Sequence, residues 1–209
     1  LVKVLSPTVF EKTNSTTLAQ GLVFQPGVRV ENDCQNCGYS QVRINGMEGK
    51  YTQILIDSRP IFSALAGAYG LEQIPANMIE RVEVIRGGGS ALFGSSAIAG
   101  TINIITKEPI RNSGSFGHTI SNLDGSGAYD NNTTLNLSWV SSDNKMGAYI
   151  YGQNRYRSAW DSNGDGFSEL PKLKNQTIGF NGFYKTSAYS KLNIEYHHME
   201  EYRLSLIHI

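Results

Sequence analysis

The 209-residue chain is long enough for one sizeable core or two small ones, and its 18 basic and 18 acidic residues cancel to a formal charge of zero. Without a basic excess it lacks the electrostatic footprint of a protein that binds nucleic acid or an anionic membrane surface, so nucleic acid is set aside as a partner. Charged residues are only 17% of the chain, and 22 glycines and 11 tyrosines stand among many Asn, Ser and Thr residues, a composition of strands and turns rather than helices.

The opening Leu1-Val2-Lys3-Val4-Leu5 lacks the apolar core of a signal peptide, and no run approaches the roughly 20 apolar residues of a membrane helix. Any export signal is expected to have been removed or never to have been present. Asn14-Ser15-Thr16 offers caps for a short amphipathic helix through Phe24, which Pro26-Gly27 then stops. Short strands are predicted at Val28-Arg29-Val30, Gln41 to Asn45, Gln53 to Asp57, Arg81 to Ile85 and Thr101 to Thr106. The only cysteines, Cys34 and Cys37, have no second pair with which to complete a four-ligand zinc site, and a small local disulfide is their expected use. A redox role would need a helix starting just after the first cysteine, whereas Gly38-Tyr39-Ser40 reads as loop or strand. Residues 1–109 thus read as a small α+β domain.

After Pro109 the pattern becomes alternating strands between polar, glycine-rich turns. Strands are predicted near Ser115 to Ser121, Thr133 to Ser142, Gly147 to Arg155, Asn175 to Thr186 and Lys191 to Glu201. Asp143-Asn144-Lys145 and Ser187-Ala188-Tyr189 are short connections, while Asn122 to Asn132 and Tyr156 to Lys174 read as long ones. Long loops on one rim and tight turns on the other belong to an outer-membrane barrel. Leu135, Leu137 and Trp139 face away from Asn136 and Ser138, and Leu192, Ile194 and Tyr196 away from Asn193, Glu195 and His197. In a barrel the first set meets lipid; a soluble sandwich gives the same alternation. Five strands cannot close such a barrel, since the smallest bacterial examples use about 8 and plugged transporters about 22. Residues 110–203 therefore read as the first strands of an incomplete outer-membrane β-barrel or as a soluble sandwich, the alternation being common to both, and 204–209, which lose the alternation, as a non-native tail.

One loop carries a metal-like pattern. Asp161-Ser162-Asn163-Gly164-Asp165-Gly166 matches the first half of an EF-hand loop, with oxygen donors at alternate positions and glycine sixth. The match then fails, because Lys172 stands at the twelfth position and Glu169 at the ninth. Asp161, Asn163, Asp165 and Glu169 are candidate calcium ligands, and a solvated Asx-turn loop explains the same residues. No cofactor is otherwise required. Gly87 to Gly94 is glycine-rich but lacks the Gly-Lys-Ser/Thr of a phosphate loop, Arg86-Gly87-Gly88 is a lone tripeptide without RNA-binding repeats, and His118, His197, His198 and His208 form no triad with a serine and an acid. No enzyme is expected.

The stretch from Ile79-Glu80-Arg81-Val82-Glu83-Val84-Ile85-Arg86-Gly87 through Ser90-Ala91-Leu92-Phe93-Gly94 to Gly100-Thr101-Ile102-Asn103-Ile104-Ile105-Thr106-Lys107 closely resembles the signature of TonB-dependent receptor plugs. Phe24-Gln25-Pro26-Gly27-Val28, Val42-Arg43-Ile44-Asn45-Gly46 and Ile54-Leu55-Ile56-Asp57-Ser58-Arg59-Pro60 continue the resemblance upstream, in the family's order, over nearly all of residues 6–109. Asn45, Gly88 and Phe93 replace the usual arginine, proline and tyrosine. Glycines 87, 94 and 100 suit positive φ angles or close backbone approach.

The resemblance implies a plug inside a barrel in the bacterial outer membrane. Such a receptor takes up a scarce large nutrient, an iron siderophore, haem or cobalamin, with energy from the TonB–ExbB–ExbD complex acting on an N-terminal segment upstream of residue 1. It further implies plug-to-wall ion pairs by Arg81, Glu83 and Arg86, against which stands the plain reading of solvated strand charges. The family's substrate loops map onto Cys34 to Ser40, Met47 to Tyr51 and Phe62 to Tyr69, making Tyr39, Lys50, Tyr51, Arg59, Phe62 and Tyr69 candidate ligand contacts, although each loop could equally be scaffold. Expected partners are outer-membrane lipid, a small-molecule ligand and, as an option for neighbouring genes to decide, a surface lipoprotein. Cobalamin receptors of the family use calcium in a loop like 161–169. The alternative is a secreted, β-rich, calcium-dependent adhesion module, for which Asn14-Ser15-Thr16 and Asn132-Thr133-Thr134 would be glycosylation acceptors.

Overall fold

The computed structural model describes residues 2–34, 39–60, 71–125 and 127–204, and the chain divides into two compact units, Leu1–Thr106 and Lys107–Ile209. In the first, β1 (Val2–Leu5), β6 (Ile79–Arg86), β7 (Gly100–Thr106), β4 (Thr52–Ile56) and β5 (Arg59–Pro60) form a sheet in the order β1-β6-β7-β4-β5. Only β4 and β7 run parallel. Central β7 buries both faces: Ile102 and Ile104 on one, Thr101 and Asn103 on the other. That is why its run reads as nearly continuous rather than alternating. Val82 and Val84 of β6 are likewise fully buried, with Glu80 and Arg81 exposed.

Helix α1 (Pro7–Lys12) starts with proline at its first turn, where the missing N–H costs nothing. Helix α2 (Leu18–Leu22) buries Leu18, Ala19 and Leu22. It is shorter than the sequence suggests, and Asn14-Ser15-Thr16 does not cap it in the expected way. Asn14 takes a left-handed φ of 51° and turns the chain, Thr17 occupies the cap without a side-chain bond, and the Thr16 N–H and hydroxyl both donate to Gln20 Oε1 at 2.7 and 3.1 Å. Strands β2 (Val28–Cys34) and β3 (Tyr39–Ile44) pair as a separate antiparallel hairpin.

In the second unit, β8 (Ser113–Leu123), β9 (Ala128–Val140), β10 (Met146–Arg157), β11 (Lys172–Ser187) and β12 (Ser190–Leu204) form an antiparallel meander in which each strand pairs with the next. Four of the strands are longer than predicted at both ends, while β9 starts five residues earlier and ends two residues earlier than predicted. The expected long loop 122–132 is mostly strand, leaving a connection of 124–127, no longer than the 141–145 turn on the other rim. Loop asymmetry therefore rests on 158–171 alone, compared with a connection of 188–189 opposite. Leu204 closes β12, and the rest of the suspected tail lies outside the described residues.

Candidate functional site

The two ends of β4 define two poles of the first unit, roughly 15 Å apart for a five-residue strand. At the pole after Ile56, Asp57 and Ser58 take left-handed φ angles of 47° and 65°, and the resulting turn is held by side chains of β7. Asp57 Oδ1 accepts the Thr106 N–H (2.9 Å) and Oδ2 its hydroxyl (2.7 Å), while Asn103 Oδ1 accepts the Ser58 N–H (2.9 Å). Asn103 Nδ2 donates to Glu83 Oε2 (3.2 Å), and Glu83 Oε1 accepts Arg81 Nε (2.8 Å). Glu83 is thus bonded inside its own unit. The sequence signalled Arg81 and Glu83 but not Asp57, Ser58 and Asn103, which complete the network.

At the opposite pole, Arg86 Nη2 donates to the Pro26 carbonyl, and a Cβ on Gly27 would lie 2.9 Å from the Arg86 guanidinium carbon. Glycine at 27 is what lets that side chain lie flat on the chain. Lys50 and Tyr51 belong to this pole, in a 3-10 turn Gly49–Tyr51. The Lys50 ammonium lies 5.0 Å over the Tyr51 ring and 2.7 Å from Glu48. That exposed pair holds the Glu48 carboxyl below and the Lys50 ammonium above its ordinary value, first by hydrogen bonding and then by charge. The Tyr51 carbonyl accepts the N–H groups of Ile98 (3.1 Å) and Ala99 (2.8 Å). Arg59 sits at the other pole, paired with Ile56, so it is not brought together with Lys50 and Tyr51. Tyr39 contributes its backbone to β3; its side chain, that of Cys34, and Cys37, Phe62 and Tyr69 lie outside the described residues.

The second unit sorts its side chains by face. On the outward face, registered rows run across the strands: Met146–Tyr184–Leu192; Trp139–Ala148–Gly182–Ile194; Leu137–Ile150–Phe180–Tyr196; and Phe116–Leu135–Gly152–Ile178–His198. Most of these are apolar and exposed. Rows are roughly 7 Å apart along the strands, so four of them make a band of about the 25 Å that outer-membrane barrels present to lipid. The next row, His118–Thr133–Asn154–Gln176–Glu200, is polar, with His118 Nδ1 2.8 Å from Thr133 Oγ1. Beyond it Tyr156 and Tyr202 flank Lys174.

The inward face is polar, and its side chains bond one another. Gln153 Nε2 donates to Asn132 Oδ1 (2.8 Å), Arg155 forms a two-pronged pair with Asp130 (3.0 and 2.6 Å), and Tyr151 Oη lies 2.7 Å from His197 Nδ1. Asn132, buried in this network, is unsuited to be the glycosylation acceptor of a secreted module.

Loop 158–171 is closed at its neck by Trp160 and Leu170, whose backbones exchange hydrogen bonds of 3.1 and 3.2 Å. Inside it, Asp161 accepts the N–H groups of Gly164 (2.7 Å) and Gly166 (2.8 Å), and Asn163 Oδ1 that of Asp165 (3.0 Å). Desolvation opposes ionisation of Asp161, but the backbone donors of Gly166, Gly164, Asn163 and Asp165 outweigh it and hold the carboxyl below the usual range. One carboxylate oxygen from each of Asp161, Asp165 and Glu169 lies within 4.8 Å of the others. Asn163 instead bonds Asp165 through both ends of its amide.

Residues 1–101 match the model of the TonB-dependent receptor plug domain. The chain is 32% identical over 154 residues to the vitamin B12 transporter BtuB of Vibrio vulnificus, an overlap of 72% of this chain and 24% of that protein. It is 33% identical over 113 residues to the ferric enterobactin receptor of Pseudomonas aeruginosa, an overlap of 48% and 15%. The chain thus spans a quarter or less of the length of these relatives. Its fold is that of the siderophore receptor PirA from Acinetobacter baumannii, with a TM-score of 0.85 at 24% identity, covering 98% of this chain and 32% of that one. The plug signature, the lipid-suited band and these relatives agree: the chain belongs to the TonB-dependent receptors of the bacterial outer membrane.

Proposed function

We propose that the receptor containing this chain takes up a scarce large nutrient, an iron siderophore, haem or cobalamin, across the outer membrane with energy from the TonB–ExbB–ExbD complex. The observation that carries it is the joining, in one chain, of a plug sheet to a sheet whose outward face bears an apolar band. A secreted adhesion module would expose that band to water, which disfavours it. Uptake of labelled cobalamin and ferric siderophores should fall to background when the complete receptor is deleted, and equally when TonB is deleted. Uptake that persists without TonB would reject the reading.

Lys50 and Tyr51 are the proposed ligand contacts on the plug, at the pole remote from Thr106, with Tyr39, Phe62 and Tyr69 as further aromatic candidates; Arg59 lies at the other pole. Tyr51→Ala in the complete receptor should weaken ligand binding roughly tenfold, as loss of one aromatic contact does. Unchanged affinity, measured by equilibrium binding on outer-membrane vesicles, would remove the assignment. Arg81, Glu83 and Arg86 are retained as candidates for wall contacts only through the valences their bonds inside the plug leave.

Calcium in the 161–169 loop is also proposed. Three carboxylates on a neck-closed loop suit a hard cation, which would neutralise them and fix the loop. Titration calorimetry on the complete receptor should show calcium binding that Glu169→Gln abolishes; no heat from the wild type would refute it. Since Asp161 is held below its ordinary value, its contribution to loop order is complete above the usual carboxylate range and is lost as pH falls through the lowered value, so binding should weaken in acid.

A further inference from the structure

Residues 107–112, between β7 and β8, belong to no strand, yet they are part of the second unit and are held by four of its strands. The Lys107 carbonyl accepts Asn181 Nδ2 of β11 (3.4 Å), and Glu108 Oε2 meets Lys191 Nζ of β12 at 3.0 Å. Pro109 is buried over Gly147 of β10, where a Cβ would stand 2.9 Å from Pro109 Cγ and 2.5 Å from the Phe183 ring. Asn112 Oδ1 then accepts the Val140 N–H of β9 (2.6 Å). Val140, Gly147 and Phe183 share one register row of the inward face, and Asn181 and Lys191 stand on that same face.

The residue types suit such a seat. Proline has no N–H to strand where it is buried, and its fixed φ means that less freedom is lost on docking. Gly147 leaves the room that the ring fills. The Lys191 ammonium also lies 5.0 Å over the Phe183 ring, which links the ion pair to the proline seat. That pair is partly exposed and adds little by itself. The hold comes from the buried ring and from the Val140 N–H, which loses its acceptor if Asn112 leaves. Ile110 and Arg111, between these two contacts, are exposed.

We propose that residues 107–112 are a wall-bound anchor, so that a pull on the plug ends at Thr106 and the segment keeps its seat while the plug is drawn out of shape. Load entering through the N-terminus is then shared by β9, β10, β11 and β12 instead of falling on the first residues of β8. The plug also keeps a fixed point from which it can return. This role in uptake rests on the TonB-driven reading above, whereas the anchor is tested on the receptor alone, so either can fail without the other.

The test is single-molecule pulling on the N-terminus of the complete receptor in a lipid bilayer. After the plug has unravelled, the wild type should pause and then give a separate last step of roughly 20 Å, the reach of six residues, before the barrel yields. Pro109→Gly combined with Asn112→Ala changes only the segment and leaves the wall strands intact. It should shorten the life of that pause at constant force roughly tenfold. Ile110→Ala, at an exposed position of the same segment, should leave the pause unchanged. Release that runs on to Ser113 without a pause in the wild type would overturn the proposal. So would an unaltered pause in the double variant, or one shortened equally by Ile110→Ala.

Discussion

Gly100→Ala is expected to pull apart the centre of the plug sheet. Gly100 opens β7 between Arg86 of β6 and Thr52 of β4, and a Cβ there would stand 2.3 Å from the Ile85 carbonyl oxygen and 3.0 Å from Ile44 Cδ1. The nearest atom is backbone, fixed in a ladder, so it cannot rotate aside as a side-chain tip would. Opening the β6–β7 ladder to admit the methyl group costs about 3 kcal/mol, at the upper end for overpacking. Amides of β6 and β7 in the complete receptor should then exchange roughly a hundredfold faster. Gly88 is the control, since a Cβ there meets nothing within 4 Å. If Gly100→Ala protected these amides as well as Gly88→Ala does, the close approach would not be what the position requires.

The plug was legible because its signature is dense in backbone demands of this sort. Positions 87 and 94 do take left-handed φ angles of 91° and 99°, and position 100 is the close approach just described. Strand β1 was missed because four residues at a sheet edge, with only Leu5 buried, carry too little alternation to separate from a frayed terminus. The polar turn network was missed for another reason. Ser58 and Asn103 are 45 positions apart in sequence, Asp57 and Thr106 49, and each pair meets only because β4 lies parallel to β7, a pairing that no local pattern announces.

The misjudged loops have a physical cause as well. Where the outward face passes from the apolar band to the polar row of His118, Thr133, Asn154, Gln176 and Glu200, the strands continue but the alternation vanishes. Asp130, Asn131 and Asn132 are polar on both faces, so they read as loop although they sit in β9. The half-EF-hand pattern was visible in sequence, whereas the Trp160–Leu170 bridge that closes its neck was not. Seen with the bridge, the loop is held at both ends, which is what lets three carboxylates stay close without an EF-hand's twelfth ligand.

Asp130 itself carries the largest effect expected in the second unit. Its carboxylate holds Arg155 through both oxygens, and the Arg155 side chain is only 5% exposed. Such forked pairs are strong while intact, and removing one partner takes both charge-assisted bonds from a side chain held away from water. Asp130→Ala should therefore destabilise the complete receptor by about 3 kcal/mol, read from urea unfolding followed by the electrophoretic shift of the folded barrel. The pair itself is a different matter, because desolvating two charges offsets most of their attraction. Asp130→Ala with Arg155→Leu should recover the larger part of the loss. A double variant as unstable as the single one would mean that the cost lies in reshaping β9 rather than in the two bonds lost from the Arg155 guanidinium. Recovery would instead identify the inward charges as a set that tolerates removal in pairs but not singly, as expected of a polar face whose members satisfy one another.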